Sequence, residues 1–140
     1  MAITSFRNKY FFLSSMYPCK IDFGDIEYPS VENAFQAAKT TKLDDKFIIA
    51  KLKPSESKYY GRNRIKMRND WNDIKLDIMY QLVKIKFSDP VLKQLLIDTA
   101  GEDLVEENSW GDTFWGVCGG IGQNQLGKIL MKVRSELLSM

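Results

Sequence analysis

The segment Tyr28-Pro-Ser-Val-Glu-Asn-Ala-Phe-Gln-Ala-Ala-Lys39 organises the rest of the chain, and it predicts a helix. Ser30 is a suitable N-cap, and Glu32 lies in the first turn, where a carboxylate complements the helix dipole. At about 100° per residue, one stripe of this helix is apolar, and Glu32, Gln36 and Lys39 form a polar stripe beside it. This polar stripe is either a solvated helix edge or one wall of a polar cleft.

Length and composition limit the possible classes of protein. With 140 residues, of which 44% are hydrophobic, the chain is expected to form a single domain over residues 1–140. The net charge is only +2, but residues 1–71 carry 13 Lys and Arg against 8 Asp and Glu, which favours phosphate-bearing ligands. Because there is no long apolar run and no signal-peptide pattern, we expect a soluble, cytoplasmic protein without membrane contact.

The chain contains no histidine and only two cysteines, Cys19 and Cys118, which are far apart in the sequence. Ser-His-Asp and Cys-His mechanisms and His-containing metal sites are therefore excluded. A zinc site or a disulfide framework is not indicated either, and we expect neither a metal nor another cofactor. In an enzyme of this composition, proton transfer falls to Asp, Glu, Lys, Tyr or water.

Turn and cap residues predict a mainly α fold with a short N-terminal β-hairpin. The hairpin turns at Gly24-Asp25, between two groups of β-forming residues. A second helix is capped by Asp44 or Asp45, and a third starts at Pro54 and ends at Gly61.

Further helices follow in the second half of the chain. The longest begins near Trp71, which is either a core residue or a ring that stacks on a ligand. Asp89-Pro90 opens the next helix, Leu104 and Val105 are expected to form an isolated strand, and the chain ends in an amphipathic helix.

Two segments have a composition that suggests binding. Gly61 to Arg68 is the most basic stretch, and it is either a solvated loop or a phosphate clamp. Residues 108–125 contain five glycines and two tryptophans, and such a long aromatic loop is typical of a binding site. Within this loop, Asp112 and Trp115 are three residues apart, and Asn124 follows a glycine-rich stretch that resembles an anion-binding helix terminus in outline. It is neither a Walker A sequence nor a Rossmann fingerprint.

A series of motifs closely resembles the NADAR (NAD and ADP-ribose) superfamily, also called YbiA-like, from about residue 3 to the C-terminus. They are Ser5-Phe6-Arg7, Phe12-Leu13-Ser14, Tyr17-Pro18, Tyr28-Pro29-Ser30-Val31-Glu32, Phe35-Gln36-Ala37-Ala38-Lys39, Gly61-Arg62, Arg68-Asn69-Asp70-Trp71, Trp110-Gly111-Asp112-Thr113-Phe114-Trp115-Gly116, Asn124-Gln125-Leu126-Gly127 and Leu130-Met131-Lys132-Val133-Arg134. The resemblance implies a single multihelical YbiA-like domain that cleaves N-glycosidic bonds of ribosylated nitrogen compounds. Such compounds in the family include phosphoribosylamino-pyrimidines of riboflavin synthesis and ADP-ribosylated guanine in nucleic acid.

The resemblance also implies site residues. Glu32, Lys39 and Asp112 match the positions expected to be catalytic. The positions expected to bind substrate are Arg7, Ser14, Gln36, Arg62, Trp71, Trp115, Gly116 and Asn124. The chain departs from the family where Ser14-Ser15-Met16 replaces Ser-Asn-Phe and where Asn33 replaces a histidine, so histidine is not essential to the mechanism here.

Three functions remain as hypotheses. The first is a metal-independent N-glycosidase in which Lys39 is a nucleophile or an electrostatic acid, and Glu32 or Asp112 carries the proton. The second is a non-catalytic binder or sensor of ADP-ribose-type nucleotides. The third, a structural nucleic-acid-binding protein, is disfavoured by the small net charge. The sequence does not choose between a small-molecule nucleotide and an ADP-ribosylated nucleic acid as substrate, and it does not predict the oligomeric state.

Overall fold

The structure, a computed structural model, describes all 140 residues. In chain order its elements are β1 Ala2–Ile3, a 3₁₀ helix Asn8–Leu13, β2 Ile21–Phe23, β3 Ile26–Tyr28, α1 Val31–Ala38, α2 Leu43–Ala50, α3 Pro54–Asn63, α4 Trp71–Lys86, α5 Pro90–Ile97, β4 Asp103–Leu104, β5 Glu107–Asn108, β6 Val117–Cys118 and α6 Gln125–Leu138. Helices dominate and every strand has only two or three residues, so the prediction of a mainly α fold is confirmed. A membrane-spanning helix is absent, since none of these helices is both long and apolar enough.

The chain divides into two compact units, which are described separately. The first unit contains Met1–Ser14 and Phe87–Met140, and the second contains Ser15–Lys86.

In the second unit, the predicted hairpin leads into α1. β2 and β3 pair antiparallel, and Gly24 and Asp25 connect them with φ of 59° and 66°. Positive φ at both central residues is the geometry of a type I′ turn, whose twist suits a tight hairpin. The Ser30 hydroxyl then accepts a hydrogen bond from Asn33 N at 3.1 Å, which confirms Ser30 as the N-cap of α1.

α1 is the central helix of this unit and packs against α2, α3 and α4. Its apolar stripe is buried, and the side chains that form it are Val31, Ala34, Phe35 and Ala38. Asn33 ties α1 to α2, because its Nδ2 donates to Ile49 O and Leu52 O, each at 2.9 Å. These carbonyls lie near and beyond the C-terminus of α2, and Ile49 O also accepts from Leu52 N at 3.1 Å. The residue that replaces the family histidine therefore has a structural role.

Two boundary predictions for the following helices are wrong. The N-cap of α2 is Lys42 rather than Asp44 or Asp45, and both carboxylates lie in the first turn instead. α3 begins at Pro54 as predicted, but it continues through Gly61 to Asn63. Gly61 thus has a role other than ending the helix.

In the first unit, short strands join segments that are distant in the sequence. β1 pairs parallel with β4, Ile3 lying opposite Leu104, so the strand predicted near Leu104 is not isolated. β5 pairs parallel with β6. Asp89 caps α5 as predicted, because its Oδ2 accepts from the backbone N of Val91 and Leu92 at 3.1 and 3.0 Å.

The terminal helix α6 completes the first unit and packs against α5 and β4. Arg134 on α6 is buried, and its Nη1 donates to Thr99 O at 2.9 Å and to Thr99 Oγ1 at 3.0 Å. A guanidinium that is buried and hydrogen-bonded in this way fixes α6 to the end of α5.

Candidate active site

The predicted site residues fall in both units. The unit Ser15–Lys86 contains Glu32, Gln36, Lys39, Arg62 and Trp71. The other unit contains Arg7, Ser14, Asp112, Trp115, Gly116 and Asn124.

A hydrogen bond joins the carboxylate and the amide of the polar stripe on α1. Gln36 Nε2 donates to Glu32 Oε2 at 2.6 Å, one helical turn away. Gln36 is only 4% exposed, whereas Glu32 is partly exposed. Gln36 therefore fixes the orientation of the Glu32 carboxylate at the surface of α1.

Gly61 fixes the orientation of the Gln36 amide. Gln36 Oε1 is buried and has no hydrogen-bond partner, and it lies against the backbone of Gly61. A Cβ at position 61 would collide with Oε1 and lie 2.8 Å from Gln36 Cδ. Glycine is therefore required inside α3 because the Gln36 side chain occupies the space of a Cβ.

Lys39 follows α1 at its C-terminus, and its side chain is partly buried. Its Nζ lies 5.8 Å from the centre of the Phe35 ring. Burial lowers the pKa of Lys39 below its ordinary value of 10.5, and the charge of Glu32 opposes this shift. A larger fraction of Lys39 is therefore neutral, and nucleophilic, than for a solvated lysine.

Three further cations lie near enough to Lys39 to affect its pKa. Arg62, Lys58 and Lys75 each lower the pKa of Lys39, because a positive neighbour disfavours its ammonium form. Arg62 and Lys58 lie four residues apart on α3 and therefore share one face of that helix. Such a cluster of cations favours a ligand that carries phosphate groups.

Trp71 has a core position. It is 4% exposed, and its ring packs edge-to-face against Phe35, with 5.0 Å between the ring centres. This is the structural alternative that the sequence left open, and such aromatic pairs stabilise a core beyond their buried area.

In the other unit, Asp112 organises the turn that contains the aromatic residues. Its Oδ1 accepts from the backbone N of Phe114 at 3.1 Å and of Trp115 at 3.0 Å. Asn108 holds the same turn, because its side chain donates to Asp112 O at 2.8 Å and accepts from Asp112 N at 3.0 Å. Asn108 is not among the predicted site residues, although an Asn that precedes a glycine-rich turn is a signal of such backbone bonding.

Gly116 and Asn124 hold neighbouring backbone segments together. A Cβ at Gly116 would collide with Glu106 O and lie 2.9 Å from Asn108 Nδ2. Asn124 Oδ1 accepts from Glu106 N at 3.0 Å, and its Nδ2 donates to Leu104 O at 2.9 Å. Both residues therefore support the backbone around β4 and β5.

Arg7 and Ser14 flank the 3₁₀ helix of the first unit. Arg7 is exposed at its N-cap position, and Ser14 is partly buried at its C-cap, where its N donates to Phe11 O at 2.9 Å. No group of three or more His, Cys, Asp and Glu side chains is placed to hold a metal ion, and Cys19 and Cys118 form no disulfide.

The sequence profile of the NADAR domain matches residues 4–138. The chain belongs to the NADAR family. This NADAR chain is 37% identical over 131 residues to a riboflavin biosynthesis protein of Vibrio vulnificus, an alignment that covers 90% of the chain and 35% of that protein. It thus spans about a third of the length of this relative.

Shorter relatives align over most of both chains. An N-glycosidase of Nostoc punctiforme is 37% identical over 132 residues, which cover 89% of the NADAR chain and 83% of the relative. The N-glycosidase YbiA of Shigella boydii is 36% identical over 127 residues, which cover 86% and 76%, respectively. The NMR structure of the Escherichia coli protein YbiA matches with a TM-score of 0.85 at 30% identity, covering 99% of the NADAR chain and 88% of that chain. The YbiA-like fold is therefore confirmed.

Proposed function

We propose that this NADAR chain is a metal-independent N-glycosidase that hydrolyses a ribosyl C–N bond in an ADP-ribosylated or phosphoribosylated nitrogen compound. The observation that supports it most is the polar stripe of α1. There the Glu32 carboxylate is held by Gln36 at 2.6 Å, and Lys39 with its lowered pKa lies on the same side of the helix. The relatives named N-glycosidases support the same reaction class.

The chemistry of C–N cleavage explains why a carboxylate is needed. As the bond from the anomeric carbon to nitrogen breaks, positive charge develops on that carbon. The Glu32 carboxylate stabilises this charge, and the Gln36 hydrogen bond keeps it oriented. Water then adds its oxygen to the anomeric carbon, and its proton goes to the departing nitrogen. Glu32 or Asp112 carries that proton, Asp112 being assigned by the family resemblance.

Lys39 adds a covalent route to the same products. In the ring-opened imine form of the substrate, the neutral Lys39 amine adds to the anomeric carbon. The bond to the substrate nitrogen breaks as that nitrogen leaves as an amine with the protons of Lys39, and a Schiff base between Lys39 and the ribose remains. Addition of water to this imine returns the sugar and the free amine, so the net reaction remains hydrolysis. The cations around Lys39 (Arg62, Lys58 and Lys75) favour substrates that bear phosphate or pyrophosphate. Borohydride added during turnover is expected to trap an adduct on Lys39, and its absence would eliminate this route.

The substrate is proposed to be either a phosphoribosylamino-pyrimidine or ADP-ribosylated guanine, as a small molecule or in nucleic acid. The riboflavin biosynthesis name of the Vibrio relative supports the first and the family resemblance supports both. We also propose that the protein is cytoplasmic and that residues 1–140 form a single domain.

The decisive test is the substitution Glu32→Gln, assayed by chromatography on both substrate classes. It removes the charge, keeps the shape and is expected to lower kcat by about 10²- to 10⁴-fold. Glu27→Gln is a matched control, because Glu27 is an exposed carboxylate of β3 that pairs only with the surface residue Lys20 at 3.5 Å. We expect this control to retain full activity.

Two results would contradict the proposal. Full activity of Glu32→Gln would remove the role of the carboxylate. Tight binding of ADP-ribose together with no cleavage of any substrate by the unaltered protein would instead indicate a binder or sensor.

A further inference from the structure

A groove in the second unit, called the α2–α3 groove, runs along α3 from the end of α2. Its volume is about 390 Å³, and it is lined by Leu52, Ser55, Glu56, Tyr59, Tyr60 and Arg64. This size is within the range of small-molecule sites in proteins. None of these residues belongs to the polar stripe of α1 or to the cations around Lys39, so the groove is a separate feature.

Two tyrosines line the groove, and one of them is exposed. Tyr59 is 60% exposed, although a ring of this size normally buries much of its surface. Tyr60 is held in place, because its hydroxyl donates to Asp45 Oδ1 on α2 at 2.7 Å. One exposed ring beside a fixed ring is suited to stacking against the face of another planar group.

The stretch of sequence that contains the groove residues is strongly basic. Residues 51–68 contain seven Lys and Arg and one Glu, a net charge of +6, whereas the whole chain has only +2. Arg68 is neutralised by Asp70, which accepts from its Nε at 2.6 Å. The groove itself contains one cation, Arg64, and one carboxylate, Glu56, whose Oε1 accepts from Lys53 N at 2.9 Å at the start of α3. Arg64 is therefore the cation of the groove that can hold a phosphate group.

We propose that the α2–α3 groove binds single-stranded nucleic acid, with a base stacked on Tyr59 and the adjacent phosphate held by Arg64. Exposed aromatic rings within a basic surface are the usual way in which proteins bind single strands without sequence preference. α3 connects this groove to the candidate active site. Its residues Lys58 and Arg62 act electrostatically on Lys39, whereas Tyr60 and Arg64 line the groove. The groove is thus placed to hold a nucleotide that flanks a modified one.

The inference rests on the proposed function only where it assigns the bound strand as the substrate. Of the two proposed substrate classes, it favours a modified nucleic acid over a free metabolite. Binding is measured by fluorescence anisotropy with unmodified, fluorescein-labelled dT12 and rU12, so DNA and RNA are compared directly. Tyr59→Ala is expected to weaken binding by about 5- to 100-fold, and Tyr59→Phe, which keeps the ring, to bind like the unaltered protein. Since Tyr59 is largely exposed, both variants are expected to fold.

Salt dependence tests the phosphate contact. Arg64→Ala is expected to reduce the slope of log K against log salt by about 0.7, the value for one phosphate of a single strand. Lys128→Ala is the matched control, because it removes one exposed positive charge from the other unit and should leave the slope of specific binding unchanged.

Three results would overturn the inference. The first is that Tyr59→Ala binds the single strands as tightly as the unaltered protein does. The second and third are that the unaltered protein binds blunt duplex DNA, or polyglutamate, as tightly as it binds the single strands. The last two would show binding by charge alone. Failure of the proposed function is distinguishable, because Tyr59→Ala should cleave a mononucleotide substrate as fast as the unaltered protein. Strand binding through Tyr59 without cleavage of any substrate would uphold the groove and refute the glycosidase.

Discussion

Replacing Gly61 with alanine tests the contact that orients the candidate catalytic carboxylate. The new Cβ would collide with Gln36 Oε1 and lie 2.8 Å from Gln36 Cδ, so the Gln36 side chain must move. Movement breaks the 2.6 Å hydrogen bond from Gln36 Nε2 to Glu32 Oε2. Gly61→Ala is therefore expected to lower both the stability and the activity of the protein.

The size of the effect follows from opposing contributions. Overpacking costs about 1–3 kcal/mol, and a lost hydrogen bond to a charged group costs about 1.5–3 kcal/mol. Because Gln36 either stays strained or swings away, these costs are alternatives rather than a sum. Alanine inside α3 gains about 1 kcal/mol of helix propensity over glycine. We expect a net loss of up to about 2 kcal/mol in the free energy of unfolding.

A double-mutant cycle with Gln36→Ala, measured by urea unfolding, isolates this contact. Without the amide, the two nearest atoms are removed and the new Cβ lies 3.0 Å from the Cβ of residue 36, so Gly61→Ala should cost about 1–3 kcal/mol less. Gln81→Ala is the matched control, since Gln81 also donates to a carboxylate one turn earlier, Asp77 Oδ2 at 2.6 Å, but on an exposed face of α4. A coupling between positions 61 and 36 no larger than in the control cycle would refute the reasoning.

Two predictions concern lysines whose pKa is lowered. If neutral Lys39 is the nucleophile, kcat should rise with pH along a limb below pH 10.5. Lys58→Gln should move that limb to higher pH, because it removes a cation that disfavours the ammonium form of Lys39. A limb that does not move would argue against this assignment. Burial lowers the pKa of Lys86 to about 7, with the nearby Cys19 opposing the shift, and its Nζ lies 5.5 Å from the centre of the Tyr17 ring. Between about pH 7 and 10.5 the unfolded state then binds more protons than the folded state. The free energy of unfolding should therefore increase with pH by up to about 1.4 kcal/mol per pH unit, compared with that of Lys86→Met. Parallel stability profiles of the two proteins from pH 7 to 10 would contradict the lowered pKa.

Local signals in the sequence predicted most of the elements. The Gly24-Asp25 turn, the Ser30 cap and the Asp89 cap involve residues within about one helical turn of their partners. Such contacts form between neighbours in the chain, and turn and cap chemistry describes them well. The polar stripe of α1 was predicted for the same reason, because helical periodicity alone brings Glu32 within reach of Gln36.

Two of the errors occurred where the decisive partner is distant in the sequence. Gly61 was expected to end α3, but it is glycine because Gln36, 25 residues earlier, occupies the space of its Cβ. The strand at Leu104 was expected to be isolated, but it pairs with Ile3. Local propensity contains no information about either contact.

The sequence by itself determined the family, the helices and the carboxylate, amide and amine of α1, since motif order and periodicity are properties of the linear chain. Only the tertiary structure decided that Trp71 packs in the core, that Asn33 bonds the end of α2, and that Tyr59 is exposed in a groove with Arg64. The physical reason is that burial, electrostatic environment and steric fit depend on which distant segments pack together. The low pKa of Lys39 arises in the same way, from burial and from cations on α3 and α4.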